Sequence, residues 1–391
     1  MLWQQVSDGA RQCCEALWSA GFEAYPVGGC VRDLLLGRTP GDWDVTTSAR
    51  PEQVMNLFKC VIATGVKHGT VTVILQGEHL EVTTFRGESG YSDGRHPDAV
   101  RFDATLEEDL SRRDFTINAM ALRKNGEIVD RFGGQADLKA GIIRCVGDPL
   151  RRFGEDGLRM FRAVRFGAQL GFQLTEETVQ AICTCAGGAQ HIAAERVRVE
   201  VEKTLCSGRP AAAMQFFSLG LMERWTTGCP ADLWTLDRLP AEPLLRWAKL
   251  CARLMAGGCI ESPEAFLREL KLDGATIRAC DTGMELWQSG LPVEDAGWRK
   301  LLANYGPGSC RAAAAMAGEE ALRHLEAVLA QNPCVRAEQL ALSGGELFEM
   351  GLRGTRIGAA QRYLLEHVLT HPGDNQREIL VSKTEEFLAR S

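Results

Sequence analysis

The segment that most narrows what this chain can fold into is GGCVRDLLLGRTPGDWDV at 28–45. A glycine pair and an arginine precede two aspartates, Asp42 and Asp44, spaced i, i+2. The spacing predicts a strand over 42–45, and on a strand both carboxylates leave the same face, because side chains alternate with period two. Two like charges on one side of a sheet repel each other unless a cation lies between them. An oxygen-only donor set of that kind suits Mg²⁺, which keeps some water and shares the rest of its shell with phosphates. Upstream, Gly28 and Gly29 permit close backbone approach and Arg32 opens a predicted helix, which together suit a triphosphate. Metal plus triphosphate points to phosphoryl or nucleotidyl transfer. Each part alone is commonplace: a D-x-D is usually a solvated pair, and a Gly-Gly before a helix is a frequent turn.

The downstream segments add weight to the combination. GTVTVILQGEHLEVTTFR at 69–86 reads as two alternating strands around Gln76-Gly77-Glu78, a hairpin. Glu81 lies on its second strand and joins Asp42 and Asp44 as a third carboxylate if that strand neighbours 42–45; taken alone it is an edge-strand charge. Residues 2–20 read as an amphipathic helix ending at Gly21, and 51–58 as a helix opened by Pro51. The Gly-, Asp- and Ser-rich stretch 87–104 reads as a long loop. LEEDLSRRDFTINAMAL at 106–122 passes from a short helix to a strand-like run. The Gly-Gly pair in 128–144 reads as a hinge or a linker.

From about 148 onward the chain reads as almost wholly helical. In DPLRRFGEDGLRMFRAVRFGAQLGF at 148–172, Asp156, Arg159, Arg162 and Arg165 recur every third residue, a slowly drifting stripe if one helix carries them all. Leu158, Phe161, Val164 and Phe166 fall on other faces and read as core. Between 144 and 168 six basic residues stand against three acidic ones, in a chain whose net charge is −7. Such a run is ordinarily a solvated, salt-bridged face; here it competes with a polyphosphate or RNA site. Helices are also predicted over 176–188, 195–207, 210–220, 241–257 and 311–331, with a last helical unit from Pro333 to Ser391.

The 391 residues exceed one ordinary core, so about two to four domains are expected. No apolar run approaches the length of a bilayer span, and the N-terminus lacks the pattern of a signal peptide, so no membrane partner and a cytoplasmic location are expected. The 14 cysteines are scattered without a C-x-x-C and read as reduced thiols. The negative net charge argues against a polyanion-binding surface all round and confines any nucleic-acid site to a local basic patch. None of the seven histidines shows an evident partner, so neither a His nor a Cys nucleophile is expected.

Taken together, these segments resemble the class II tRNA nucleotidyltransferases, the CCA-adding enzymes of the polymerase-β superfamily, and the related bacterial poly(A) polymerases. The resemblance is dense over roughly the first 210 residues. GGCVRDLLLGRTPGDWDV looks like the family's first motif, with Gly29 and Arg32 for the nucleotide and Asp42 and Asp44 for metal. EVTTFR at 81–86 resembles the strand bearing the third carboxylate, here Glu81. RRDFTINAMA at 112–121 resembles the ribose-contacting motif, with Arg113, Asp114 and Asn118 near the sugar. DRFGGQADLKAGIIR at 130–144 looks like the family hinge. EDGLRMFRAVRF at 155–166 resembles the base-reading motif, with Asp156 and Arg159 as the pair and Arg162 and Arg165 toward triphosphate or primer. AAERVRVEVEKTL at 193–205 resembles a motif that braces the neck, and LALSGGELFEMGLRGTRIGAA at 340–360 a C-terminal unit of one bacterial branch.

The resemblance implies an α+β protein. A small polymerase-β-like nucleotidyltransferase head with a mixed or antiparallel sheet (1–143) precedes an all-helical neck (144–208), body (209–330) and tail (331–391). It implies Mg²⁺ as cofactor, ATP and CTP as substrates, and the acceptor arm and 3′ end of tRNA as partner. A homodimer is compatible with it. The reaction implied is template-independent addition of CCA, with release of pyrophosphate. An A-adding specialist keeps the same motifs. A poly(A) polymerase commonly carries a long basic C-terminal extension, and this sequence ends in HPGDNQREILVSKTEEFLARS. A non-catalytic RNA-binding relative would lack the carboxylates, and Asp42, Asp44 and Glu81 are all present. A phosphohydrolase domain with a His-Asp pair is not expected, since no His-Asp dipeptide occurs.

Overall fold

The computed structural model describes residues 2–89 and 99–389, and the chain divides into two compact units: 1–204 with 215–224, and 205–214 with 225–391. The first unit opens with a 3-10 turn, Leu2–Gln5, before helix α1, Asp8–Ser19. The single helix expected over 2–20 is interrupted because Ser7 is extended (φ −59°, ψ 157°) and its hydroxyl accepts from the Ala10 N–H, an N-cap. Ala10, Cys13, Cys14 and Leu17 then fall on one buried face.

Strand β1, Ala24–Pro26, leads through Gly28 into α2, Gly29–Leu35, and then to β2, Trp43–Thr47. After α3, Pro51–Leu57, and β3, Val61–Gly65, the hairpin β4, Thr70–Leu75, and β5, Glu78–Thr84, turns on Gln76 and Gly77. Both turn residues have positive φ (53° and 79°), which matches the twist of the flanking strands. The five strands form a mixed sheet in the order β1-β2-β5-β4-β3, in which β2 and β5 run parallel and the other neighbours antiparallel. Val45, Val71, Val73, Leu80 and Val82 are buried in it.

The stretch expected as a loop over 87–104 is in part a ladder. Strands β6, Gly87–Ser89, and β7, Ala99–Arg101, pair antiparallel, while residues 90–98 lie outside the described residues. Next come α4, Leu106–Ser111, a 3-10 turn Thr116–Asn118, β8, Met120–Leu122, β9, Ile128–Asp130, α5, Gly134–Ala140, and β10, Ile142–Ile143. Of the Gly133-Gly134 pair, Gly134 is packed tightly: a Cβ on it would lie 2.3 Å from the Thr116 carbonyl oxygen, so only glycine lets α5 approach that turn.

The segment that carries the expected stripe forms two helices, α6, Pro149–Glu155, and α7, Leu158–Leu170. Asp156 is extended (φ −147°, ψ 105°) and sits between them, so it does not share a helix with Arg159, Arg162 and Arg165. Its carboxylate accepts from the Leu158 N–H and starts α7 afresh. Nor is the chain purely helical beyond 148. Gly171 ends α7 in the left-handed region, and β11, Gln173–Leu174, pairs parallel with β10. Helices α8, Glu176–Cys185, α9, Ala194–Leu205, and α10, Met214–Ser218, follow.

The second unit is helical: α11, Pro243–Ala256, α12, Pro263–Glu269, α13, Gly274–Gln288, α14, Asp295–Ala317, and α15, Glu319–Ala330. The helix expected over 311–331 is two, broken at Gly318 (φ 142°), and α14 kinks at Gly306-Pro307. Helices α16, Gly344–Glu349, α17, Thr355–Thr370, and α18, Arg377–Ala389, close over Leu342, Leu347, Leu364 and Leu380. No helix among the described residues is long and apolar enough to cross a membrane.

Candidate active site

The parallel register of β2 and β5 sets Asp44 directly beside Glu81. Asp42 precedes β2 and is exposed, so the strand is one residue shorter at this end than the i, i+2 argument requires; Asp42 and Asp44 nonetheless line the same cavity. Burial pushes the Asp44 carboxyl up to about 6 against the opposing pull of Arg113, and the charges of Glu81 and Asp42 add to the push. The donors of the cluster are all oxygens and its carboxylates repel one another, which fits a hard divalent cation.

The cavity beside these carboxylates has a volume of about 530 Å³, within the range of nucleotide-sized ligands. Seven arginines line it (Arg32, Arg112, Arg113, Arg159, Arg162, Arg165 and Arg196) against five aspartates (Asp33, Asp42, Asp44, Asp114 and Asp156). Gly28 and Gly29 form part of the wall. Gly28 has φ +81°, and a Cβ there would lie 2.9 Å from the Arg113 guanidinium and 3.8 Å from the Asp44 carboxylate. Any other residue would be strained and would push Arg113 from its place.

A chain of bonds fixes the cavity floor. Arg32 donates to Asn118 Oδ1 (2.8 Å) and Asp33 Oδ1 (2.9 Å), and Asn118 Nδ2 donates to Asp114 Oδ1 (3.2 Å). Arg162 Nε donates to Asp114 Oδ2 at 2.7 Å. Burial alone would raise the Asp114 carboxyl, but Arg162, with help from Asn118 and Arg159, holds it down to about 2. Arg112 and Arg113 both bind the buried Asp109, which also accepts from Thr46 of β2 (3.1 Å).

Asp156 and Arg159 meet through the backbone, the Arg159 N–H donating to the Asp156 carbonyl (3.0 Å), while their side chains take other partners. Asp156 takes a bidentate pair from Arg196 (3.2 and 2.8 Å), and Arg159 donates to Glu155 (2.7 Å) and to the Arg112 carbonyl (3.0 Å). Arg165 is buried and held by Glu200 and Gln169. Of the residues singled out in the sequence, Gly29, Arg32, Asp42, Asp44, Arg113, Asp114, Asn118, Asp156, Arg159, Arg162 and Arg165 all line the cavity; Glu81 reaches it only through its place beside Asp44.

Two lining residues are not evident from sequence. Phe166, with the spacing of a core residue, lies beneath the guanidiniums of Arg165 (4.0 Å from the ring centre), Arg32 (5.2 Å) and Arg162 (5.3 Å). Arg196 is one of several charges in a bracing segment. The signal for it is a carboxylate, Asp156, whose half-buried place calls for a cation.

Residues 24–144 match the family model for the poly A polymerase head domain, and 171–225 that for the probable RNA and SrmB-binding site of polymerase A. The chain is 40% identical over 358 residues to the CCA-adding enzyme of Bacillus velezensis, covering 88% of this chain and 87% of that protein. To the CCA-adding enzyme of Lactobacillus delbrueckii subsp. bulgaricus it is 38% identical over 404 residues, covering 98% of each. The crystal structure of the Bacillus stearothermophilus CCA-adding enzyme in complex with CTP superposes with a TM-score of 0.78 at 33% identity, over 100% of this chain and 98% of that one. With a mixed-sheet head, a carboxylate cluster beside an arginine-lined cavity and relatives of this identity along nearly its whole length, this chain belongs to the class II bacterial CCA-adding enzymes.

Proposed function

We propose that this chain adds C and A to the 3′ end of tRNA without a nucleic-acid template, taking CTP and ATP and releasing pyrophosphate. The observation that carries the reading is the Asp42, Asp44 and Glu81 cluster opening onto an arginine-lined cavity of nucleotide size. In the reaction the primer 3′ oxygen bonds to the nucleotide α-phosphorus, the bond from that phosphorus to the bridging oxygen breaks, and pyrophosphate leaves. Enzymes of this family generally use divalent metals. We assign Mg²⁺ to Asp42 and Asp44, with Glu81 beside them. Bound there, it would lower the pKa of the attacking hydroxyl and offset charge on the pyrophosphate.

The chain's own side chains supply position and field. Arg32 and the backbone at Gly29 would meet the triphosphate. Arg113, Asp114 and Asn118 would meet the ribose, and Asp114 stays ionised at any working pH because Arg162 holds it so. Asp156 would accept from the exocyclic amine of C or A, while Arg159 would donate to a ring acceptor. Uracil and guanine offer a carbonyl oxygen where that amine stands, leaving Asp156 facing another acceptor at a cost of about 1–3 kcal/mol. Arg196 and Glu155 fix the two readers separately, which supports recognition by side chains set before the base arrives. Arg162 and Arg165 would add positive potential toward triphosphate or primer. On this reading 1–143 does the chemistry, 144–208 reads the base, and 209–330 and 331–391 hold tRNA through shape and phosphates. A cytoplasmic location suits these substrates.

The test is incorporation by purified protein with Mg²⁺ on tRNAs ending before CCA, after C, and after CC, each given CTP, ATP or both. Completion of all three followed by a stop is expected. Extension of the CC-ended tRNA alone would reduce the chain to an A-adding enzyme, and long A runs would make it a poly(A) polymerase.

A further inference from the structure

Far along the chain from the catalytic cluster, three side chains with metal-binding atoms converge at the end of α17. His367 and His371 are one helical turn apart, the His371 N–H donating to the His367 carbonyl at 2.9 Å. The 3-10 turn Pro372–Asp374 then folds Asp374 back, and His367 Nε2 lies 2.7 Å from Asp374 Oδ2. The two imidazoles stack with centroids 4.8 Å apart, 18° from parallel. One donor atom of each of the three residues lies within 4.8 Å of the other two. This turn is anchored: Asn375 donates to the Gln339 carbonyl (3.0 Å) and accepts from the Ala341 N–H (2.8 Å), and Leu364, Val368 and Leu369 are buried beneath.

We propose that His367, His371 and Asp374 form a binding site for a divalent transition ion of the zinc, cobalt and nickel class. Two imidazole nitrogens and one carboxylate oxygen are the donors such ions prefer, whereas Mg²⁺ favours oxygen alone. Zinc–nitrogen bonds of about 2.0–2.1 Å put two ligands of one ion at most about 4.2 Å apart. The observed limit exceeds this by roughly half an ångström, which rotation of the exposed His371 ring closes. The ion takes the place of the hydrogen bond between His367 Nε2 and Asp374 Oδ2, the neutral ring carrying its proton on Nδ1 once the metal holds Nε2. Three protein ligands leave the fourth position to water. The hydrogen bond between His367 and Asp374 also has a structural role as a stitch across the turn, and that role alone requires no third ligand. His371 is therefore the discriminating residue.

The experiment is a Zn²⁺ titration by calorimetry on the chelator-stripped full chain, in excess Mg²⁺ to fill oxygen-only sites, for wild type, His371→Ala, His371→Gln and Asp374→Asn. Exposed cysteines bind zinc as well, so the readout is the difference between proteins. The wild type is expected to bind one more Zn²⁺ than either His371 variant, with binding at this site weakened about tenfold or more in Asp374→Asn. Circular dichroism should be unchanged in the His371 variants. Equal zinc stoichiometry and affinity across all four proteins, or displacement of the extra Zn²⁺ by Mg²⁺, would overturn the site.

Discussion

Asp44 shows how a single residue trades stability for chemistry. Its carboxyl binds a proton more tightly in the folded chain, at about 6, than its ordinary value of 3.8 allows, with burial the main cause. A raised carboxyl pKa means the folded state is favoured below 3.8 and loses that advantage as pH rises through about 6. Asp44→Asn should therefore abolish incorporation yet, with metal chelated, stabilise the fold at pH 8 by on the order of 2 kcal/mol, read by urea unfolding. A destabilised variant would remove burial of charge as the explanation. Since protons and cations compete for the same oxygens, the Mg²⁺ concentration needed for half-maximal activity should also climb as pH falls below about 6. Phe166 illustrates the opposite case, an apolar residue whose service is electrostatic. The sequence presents it as core, because nothing in a linear pattern says that three guanidiniums will share one ring. Phe166→Leu keeps an apolar side chain, somewhat smaller, and loses the π face. Its KM for CTP and ATP is expected to rise roughly fivefold, the worth of about 1 kcal/mol of cation–π attraction.

Among the elements, the break between α6 and α7 is the least legible feature of the site. Recurrence of charge every third residue argues for one helix, but Asp-Gly before an apolar run is also an N-cap pattern, and the cap prevails. The break turns Asp156 out of the stripe and toward Arg196 of α9. Arg196→Ala is thus expected to raise misincorporation of U and G about tenfold, the effect of freeing a carboxylate from a charged hydrogen bond, with tRNA affinity within about twofold. Unchanged selectivity in a nucleotide competition assay would put base reading elsewhere. The hairpin β4–β5, by contrast, is plain in the sequence, since strict alternation and a Gln-Gly turn leave little choice. The poly-alanine run in α14 has its own reason. A Cβ on Gly283 of α13 would lie 2.8 Å from Ala312 Cβ, so small residues let these helices meet closely. Ala312→Leu should cost about 1–3 kcal/mol by denaturant unfolding, the penalty of overpacking.

For the molecule as a whole, the chain is acidic, at −7, while the substrate proposed for it is a polyanion. Binding of tRNA must then rest on local basic patches, and its affinity is expected to fall steeply as salt rises, with a log–log slope of several units in filter binding. A flat slope would exclude phosphate contacts as the grip. Most of the residues that line the cavity could be read from sequence because their spacing is set by one strand, one turn or one helix. The second unit could be read only as helical, since packing of long amphipathic helices against one another leaves many sequences equivalent. The parallel pairing of β2 with β5 carries one more consequence, for the order of events during synthesis. Asp42 and Asp44 leave the ribosome early, but their neighbour Glu81 arrives only after α3, β3 and β4, and it must dock as the inner strand of a non-local pair. Such pairings form late in folding. A nascent head therefore holds no complete carboxylate cluster until its sheet has closed.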